Sequence, residues 1–122
     1  MALTVSAFTS TTLDYKIVKE TASTSTPVNN VTGASGSLYS ISVTNAASQP
    51  VYVKLVDSTS SVPGTTAPSL MLKVANGTSL TWQVPGGVVF ANGFSFWAVQ
   101  LPGVGDSTAP SGGNVAVVLV TS

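Results

Sequence analysis

Histidine and cysteine are both absent from this chain of 122 residues, and only eight side chains carry a formal charge. The ionisable set is Asp14, Lys16, Lys19, Glu20, Lys54, Asp57, Lys73 and Asp106, with three tyrosines beside it. Enzymes draw their acids, bases, nucleophiles and metal ligands mostly from these residue types. A serine nucleophile here would have no histidine to activate it. The four acids are scattered along the chain, and no spacing sets up a carboxylate pair. The chain is expected to be non-enzymatic, with no catalytic residues and no cofactor. Four lysines, no arginine and a net charge of zero give no basic patch, so nucleic acid is not an expected partner.

Further absences narrow the class. Without cysteine there is neither a disulfide framework nor a thiolate metal site. No apolar run approaches the length of a membrane-spanning helix, so no membrane partner is expected. The start, MALTVSAFTS, has no basic region followed by a long apolar one, which argues against a secretory signal. Gly33-Ala-Ser-Gly36 and Pro85-Gly86-Gly87 lack the lysine and following helix of a phosphate loop and read as turns. Asp57 and Asp106 lie beside turn-rich segments. Loop carbonyls could join them around calcium, but a turn-capping role fits each better, and no metal site is assigned. The sequons at Asn30 and Asn76 read as turn residues.

What replaces charge is hydroxyl: serine and threonine fill 34 of the 122 positions. Charged residues make up 7%, against about 25% in ordinary domains. Such a near-neutral surface offers little repulsion between copies, which favours self-association or cover by a partner.

Apolar residues make up 43%, enough for a core. Their pattern is one of strands. Eighteen glycines and prolines interrupt any helical period, and alternation of period two recurs. Residues 12–19, TLDYKIVK, read as a half-buried strand, and residues 20–36 as a Ser/Thr-rich loop or arm. SLYSISVTN at 37–45 places Tyr39, Ile41 and Val43 on one face, and VYVKLVD at 51–57 is expected to pair with it. Asn76-Gly77 joins LMLKVA (70–75) to TSLTWQV (78–84) and signals a hairpin, since both turn residues accept positive φ. Leu70, Leu72, Val74, Leu80, Trp82 and Val84 would face inward, and Pro85-Gly86-Gly87 would end the strand. A second Asn92-Gly93 precedes FSFWAVQL (94–101) and suggests the same turn used again. NVAVVLVT (114–121) is apolar on both faces, as in a central strand or one that meets another subunit.

These signals predict an all-β chain with a single antiparallel β-sandwich, jelly-roll or immunoglobulin-like, of about seven or eight strands. Residues 1–36 form an N-terminal strand and arm, and residues 37–122 the sandwich core. If Phe94 and Phe96 are core, Trp97 points the other way and is the aromatic expected to be exposed or interfacial. Tyr52 and Lys54 share one face, which makes Tyr52, Lys54 and Trp97 the interface candidates.

Five segments carry a resemblance: Tyr52-Val-Lys-Leu-Val-Asp57, Pro63-Gly-Thr-Thr-Ala-Pro68, Leu72-Lys-Val, Pro85-Gly-Gly-Val-Val-Phe90 and Asp106-Ser-Thr-Ala-Pro110. Across residues 37–121 the chain resembles a group of small proteins of tailed bacteriophages, many from marine and cyanobacterial phages. The resemblance implies a virion component. Its leading form is a capsid decoration or cement protein that stabilises the head, with capsid or tail proteins of the same virion as partners and a homo-oligomeric state, a trimer in the simplest case. The alternative is a tail, baseplate or fibre component that contacts the host receptor, and a third reading is a carbohydrate-binding module.

Overall fold

A computed structural model of the chain describes residues 15–111 and 114–122. Among the described residues seven strands run in chain order: β1 (Lys16–Glu20), β2 (Gly36–Asn45), β3 (Val51–Val56), β4 (Leu70–Val74), β5 (Thr78–Phe90), β6 (Ser95–Val99) and β7 (Val115–Thr121). They form two antiparallel sheets, ordered β1-β7-β2-β5 and β4-β3-β6, that face each other as a sandwich. Between them lie Ile41, Val43, Val117 and Leu119 from the first sheet and Val51, Val53, Leu55 and Phe96 from the second. Phe90, Phe94 and Phe96 form an aromatic column, with successive ring centroids 4.7 and 5.9 Å apart.

An eighth, irregular strand decides the topology. Val28 bridges Phe96 on the open edge of β6, exchanging N–H···O bonds of 2.9 and 3.0 Å. Around it, the Ala98 and Val31 amides bond the Thr24 and Phe94 carbonyls. With this segment counted second of eight, the antiparallel pairs are first with eighth, second with seventh, third with sixth and fourth with fifth. Nested pairing of that kind is a long hairpin rolled upon itself, the jelly roll. Of the two sandwich types the sequence left open, the chain adopts this one.

Rolling up explains three departures from the sequence reading. β2 and β3 do not pair, because they lie in opposite sheets and meet across the core. Neither Asn-Gly turn closes a hairpin. Gly77 (φ 70°) passes the chain from the second sheet to the first, and Gly93 (φ 146°) passes it back. Both Asn-Gly pairs are corners between the sheets, but not the same turn: the first is closed by the Thr78 amide on the Ala75 carbonyl, and the two glycines differ in φ, 70° against 146°. Nor does the sandwich begin at residue 37, since β1 pairs with β7 over five residues and residues 24–31 complete the second sheet. The rest of the expected arm, residues 1–14, lies outside the described residues.

β7 sits between β1 and β2. Val115, Val117, Leu119 and Thr121 are buried, while Ala116, Val118 and Val120 are half-buried on the outer face. That is the central-strand reading of its two apolar faces. The loops framed by Pro63/Pro68 and Pro102/Pro110 lie at the same end of the sandwich. A Cβ built on Gly64 would stand 3.6 Å from the Gly105 carbonyl oxygen and from Cβ of Ser107.

Candidate interface surfaces

The outer face of the second sheet gathers all three sequence-derived candidates. Antiparallel register sets Lys54 opposite Trp97 and Tyr52 opposite Val99, so their side chains share one face. Tyr52, half-buried, packs on a cluster of Val56, Trp97 and Val99, and Lys73 Nζ stands 5.9 Å from the centroid of its ring.

Trp97 is not exposed: it retains 1% of its surface, and Lys54 none. The alternation that aimed Trp97 away from Phe96 is real, but this outer face is covered. The connection between β6 and β7 has its own hydrogen bonds. The Gln100 amide donates to the Thr108 carbonyl, Gln100 Nε2 to the Ala109 carbonyl and the Asp106 amide to the Gly103 carbonyl. Asp106 accepts from the Leu101 amide (3.0 Å) and the Thr108 hydroxyl (2.8 Å). Lys54 Nζ ties the loop to the sheet through the Gly103 carbonyl oxygen at 2.6 Å. A partner approaching this face meets the loop before it meets Lys54 or Trp97.

Burial pushes the Lys54 ammonium below its ordinary pKa, and the charge of Asp106 offsets part of that shift. Burial also raises the Asp106 carboxyl, but hydrogen bonds from Thr108 and Leu101 and the charge of Lys54 outweigh it, leaving the group below the usual carboxylate range. Asp57 holds the other corner. Its carboxylate accepts from the Asn92 amide (2.8 Å) and the Ala91 amide (3.1 Å), and the Asn92 bond contributes most to its lowered pKa. Both aspartates therefore fix turns, as their positions beside turn-rich segments suggested.

Alternation missed a second feature, on the outer face of the first sheet. Alternation sets Tyr39 on one face with Ile41 and Val43. Instead β2 bulges there, because its register against both β5 and β7 shifts between Leu38 and Ser40. Leu38 takes the core position and Tyr39 turns outward. Across from it, residues 84–87 of β5 bow out, with Gly86 and Gly87 at φ 85° and 84°. Pro85-Gly86-Gly87 thus bends the strand without ending it. Tyr15 meets Tyr39 edge-to-face, with centroids 4.8 Å apart and planes at 71°. Together they line a cleft of about 300 Å³ with Ser40, Gln83, Pro85 and Val120. The available signal was the Pro-Gly-Gly itself, since paired glycines inside a strand pattern mark a bulge.

No family model and no curated protein sequence matches this chain. Among solved structures it is similar to the Tobacco streak virus coat protein, at 14% identity and a TM-score of 0.44 over 93% of this chain and 90% of that one.

Proposed function

We propose that this chain is a non-enzymatic structural protein of a tailed-phage particle, and that it decorates or cements the head. One observation carries the reading. Two of the loops that resemble the phage group, Pro63–Pro68 and Asp106–Pro110, come together at one end of the sandwich. The segments they belong to expose aliphatic side chains there, with Val62 60%, Leu101 58% and Val104 43% accessible. An end bearing apolar tips, with its Asp106 carboxylate already engaged by Leu101 and Thr108, suits docking on a protein shell through buried area. Hydrogen bonds hold both loops in shape, so little ordering entropy opposes binding.

Under the same proposal the chain acts as a homo-oligomer, a trimer in the simplest case, with residues 1–14 as an additional arm on the shell or on a sister subunit. Deleting residues 1–11 is expected to leave the fold intact and abolish assembly. Heads lacking the protein should take it up from solution and then withstand a higher temperature. Val62→Asp combined with Leu101→Asp should abolish that uptake without lowering the protein's own melting temperature. Undiminished uptake by this double variant would remove the loop end from the docking surface.

The tail or fibre alternative has one observation in its favour, the tyrosine-lined cleft on the opposite sheet. The carbohydrate-module reading cannot rest on Trp97, which is buried.

A further inference from the structure

The bulges at Tyr39 and at residues 84–87 lie opposite one another and produce the cleft between them. Their cost is visible in the backbone. Gly86 and Gly87 both take positive φ, and a Cβ on Gly87 would stand 2.8 Å from Cε1 of Tyr39, so the ring rests where only glycine leaves room. Bulges of this kind re-aim side chains and concentrate near binding sites.

The chemistry of the lining is specific. None of Tyr15, Tyr39, Ser40, Gln83, Val84, Pro85, Gly86 and Val120 is charged, so the cleft suits a neutral occupant. Two phenol rings supply apolar faces and hydroxyl tips. Ser40 and Gln83 are direct cross-strand partners and contribute a hydroxyl and an amide. Further along the same face the hydroxyl pairs Ser42–Thr81 and Thr44–Ser79 bond each other at 3.0 and 3.2 Å, whereas Ser40 and Gln83 open into the cleft. Beyond Tyr15 lies a second hollow of about 360 Å³, lined by Thr32, Ser35 and Ser122 with Lys16. Tyr15 borders both.

We infer that this cleft binds a neutral saccharide. One sugar ring lies against Tyr15 and Tyr39, with its hydroxyls bonded to Gln83 and Ser40, and the next ring passes over Tyr15 into the hydroxyl-lined hollow. A pyranose has an apolar C–H face and a rim of donors and acceptors, which matches aromatic rings flanked by an amide and hydroxyls. The volume lies at the small end of ligand pockets, the scale of one ring. A proline-rich peptide would also stack on tyrosines, but the polar second hollow offers it no apolar continuation. The inference stands on the cleft alone and holds for either location in the particle.

Amide NMR of the isotope-labelled protein tests it, with glucose, galactose, mannose, N-acetylglucosamine and their disaccharides as probes. At least one should give saturable shifts at Ser40, Gln83, Gly86 and Val120, unchanged by added salt. Tyr15→Ala and Gln83→Ala alter exposed side chains and should keep the fold while weakening binding by about tenfold, the loss of one stacking or hydrogen-bonding contact. The inference is overturned if no probe shifts these amides, if both variants bind as well as the parent, or if a proline-rich peptide alone shifts them. It is equally overturned if dilution without sugar moves the same amides, which would make the cleft a contact between copies.

Discussion

Lys54 Nζ donates to the carbonyl oxygen of Gly103 at 2.6 Å, tying a buried lysine in the middle of β3 to the loop that covers its sheet. The bond closes the outer face over Trp97. It also keeps an ammonium in a place that burial disfavours.

Lys54→Met should therefore separate stability from loop order. Its aliphatic stem is retained and the desolvated charge is gone, so stability at neutral pH should match or exceed the parent's. Hydrogen exchange at residues 100–108 should accelerate as the tether is lost. A loss above about 2 kcal/mol on chemical denaturation would show that the hydrogen bond outweighs desolvation. The pH dependence has a definite sign. With the folded pKa below the unfolded value of about 10.4, the unfolded chain binds more protons between the two. Parent stability should rise with pH through that window, and the variant should lack this increment.

Trp97→Ala removes a large buried side chain that packs with Val56, Val99 and Tyr52. It should cost about 3–5 kcal/mol of folding stability, measured by denaturant titration. A surface tryptophan at an interface would cost almost nothing in the free protein, so this experiment separates the core role from an exposed one.

Asp57→Ala should lower the melting temperature at neutral pH, because the Asn92 and Ala91 amides lose their acceptor. The folded carboxyl titrates below its ordinary value, so its contribution is complete above the unfolded value of about 3.9 and disappears as pH falls through the folded one. Melting curves of parent and variant should converge in strong acid. A constant gap would place the effect elsewhere.

Gly87→Ala and Gly86→Ala both force alanine into positive φ, at about 1–2 kcal/mol each. Only the Cβ at position 87 runs into the Tyr39 ring; at 86 it meets open space. The first variant should be the less stable by thermal melting and should displace the Tyr39 ring resonances. Equal effects would mean that the ring does not rest on the bulge.

Much of the fold is legible in the sequence. Alternation placed Leu70, Leu72, Val74, Leu80 and Trp82 toward the core, because period two reports a face directly, whereas Val84, expected with them, falls in the bowed segment and lines the cleft. It says nothing about which sheet a strand joins, so β2 and β3 were paired and the Asn-Gly corners were read as hairpins. Parity also fails across a bulge. One extra residue at Tyr39 exchanged its face with Leu38, and with it the cleft left the readable pattern. Trp97 failed for another reason. Its outward direction was right, but a distant loop covers that face, tied to the sheet by the long-range bond from Lys54 to Gly103, which alternation does not report.

The proposal that the chain belongs to the particle is tested most directly by its copy number in purified virions, measured by quantitative mass spectrometry against the major capsid protein. Hundreds of copies per particle is the predicted result and would set the protein on the head. A few to a few dozen would contradict the head location and move it to the tail or fibres. Its absence from the particle would contradict the proposal altogether.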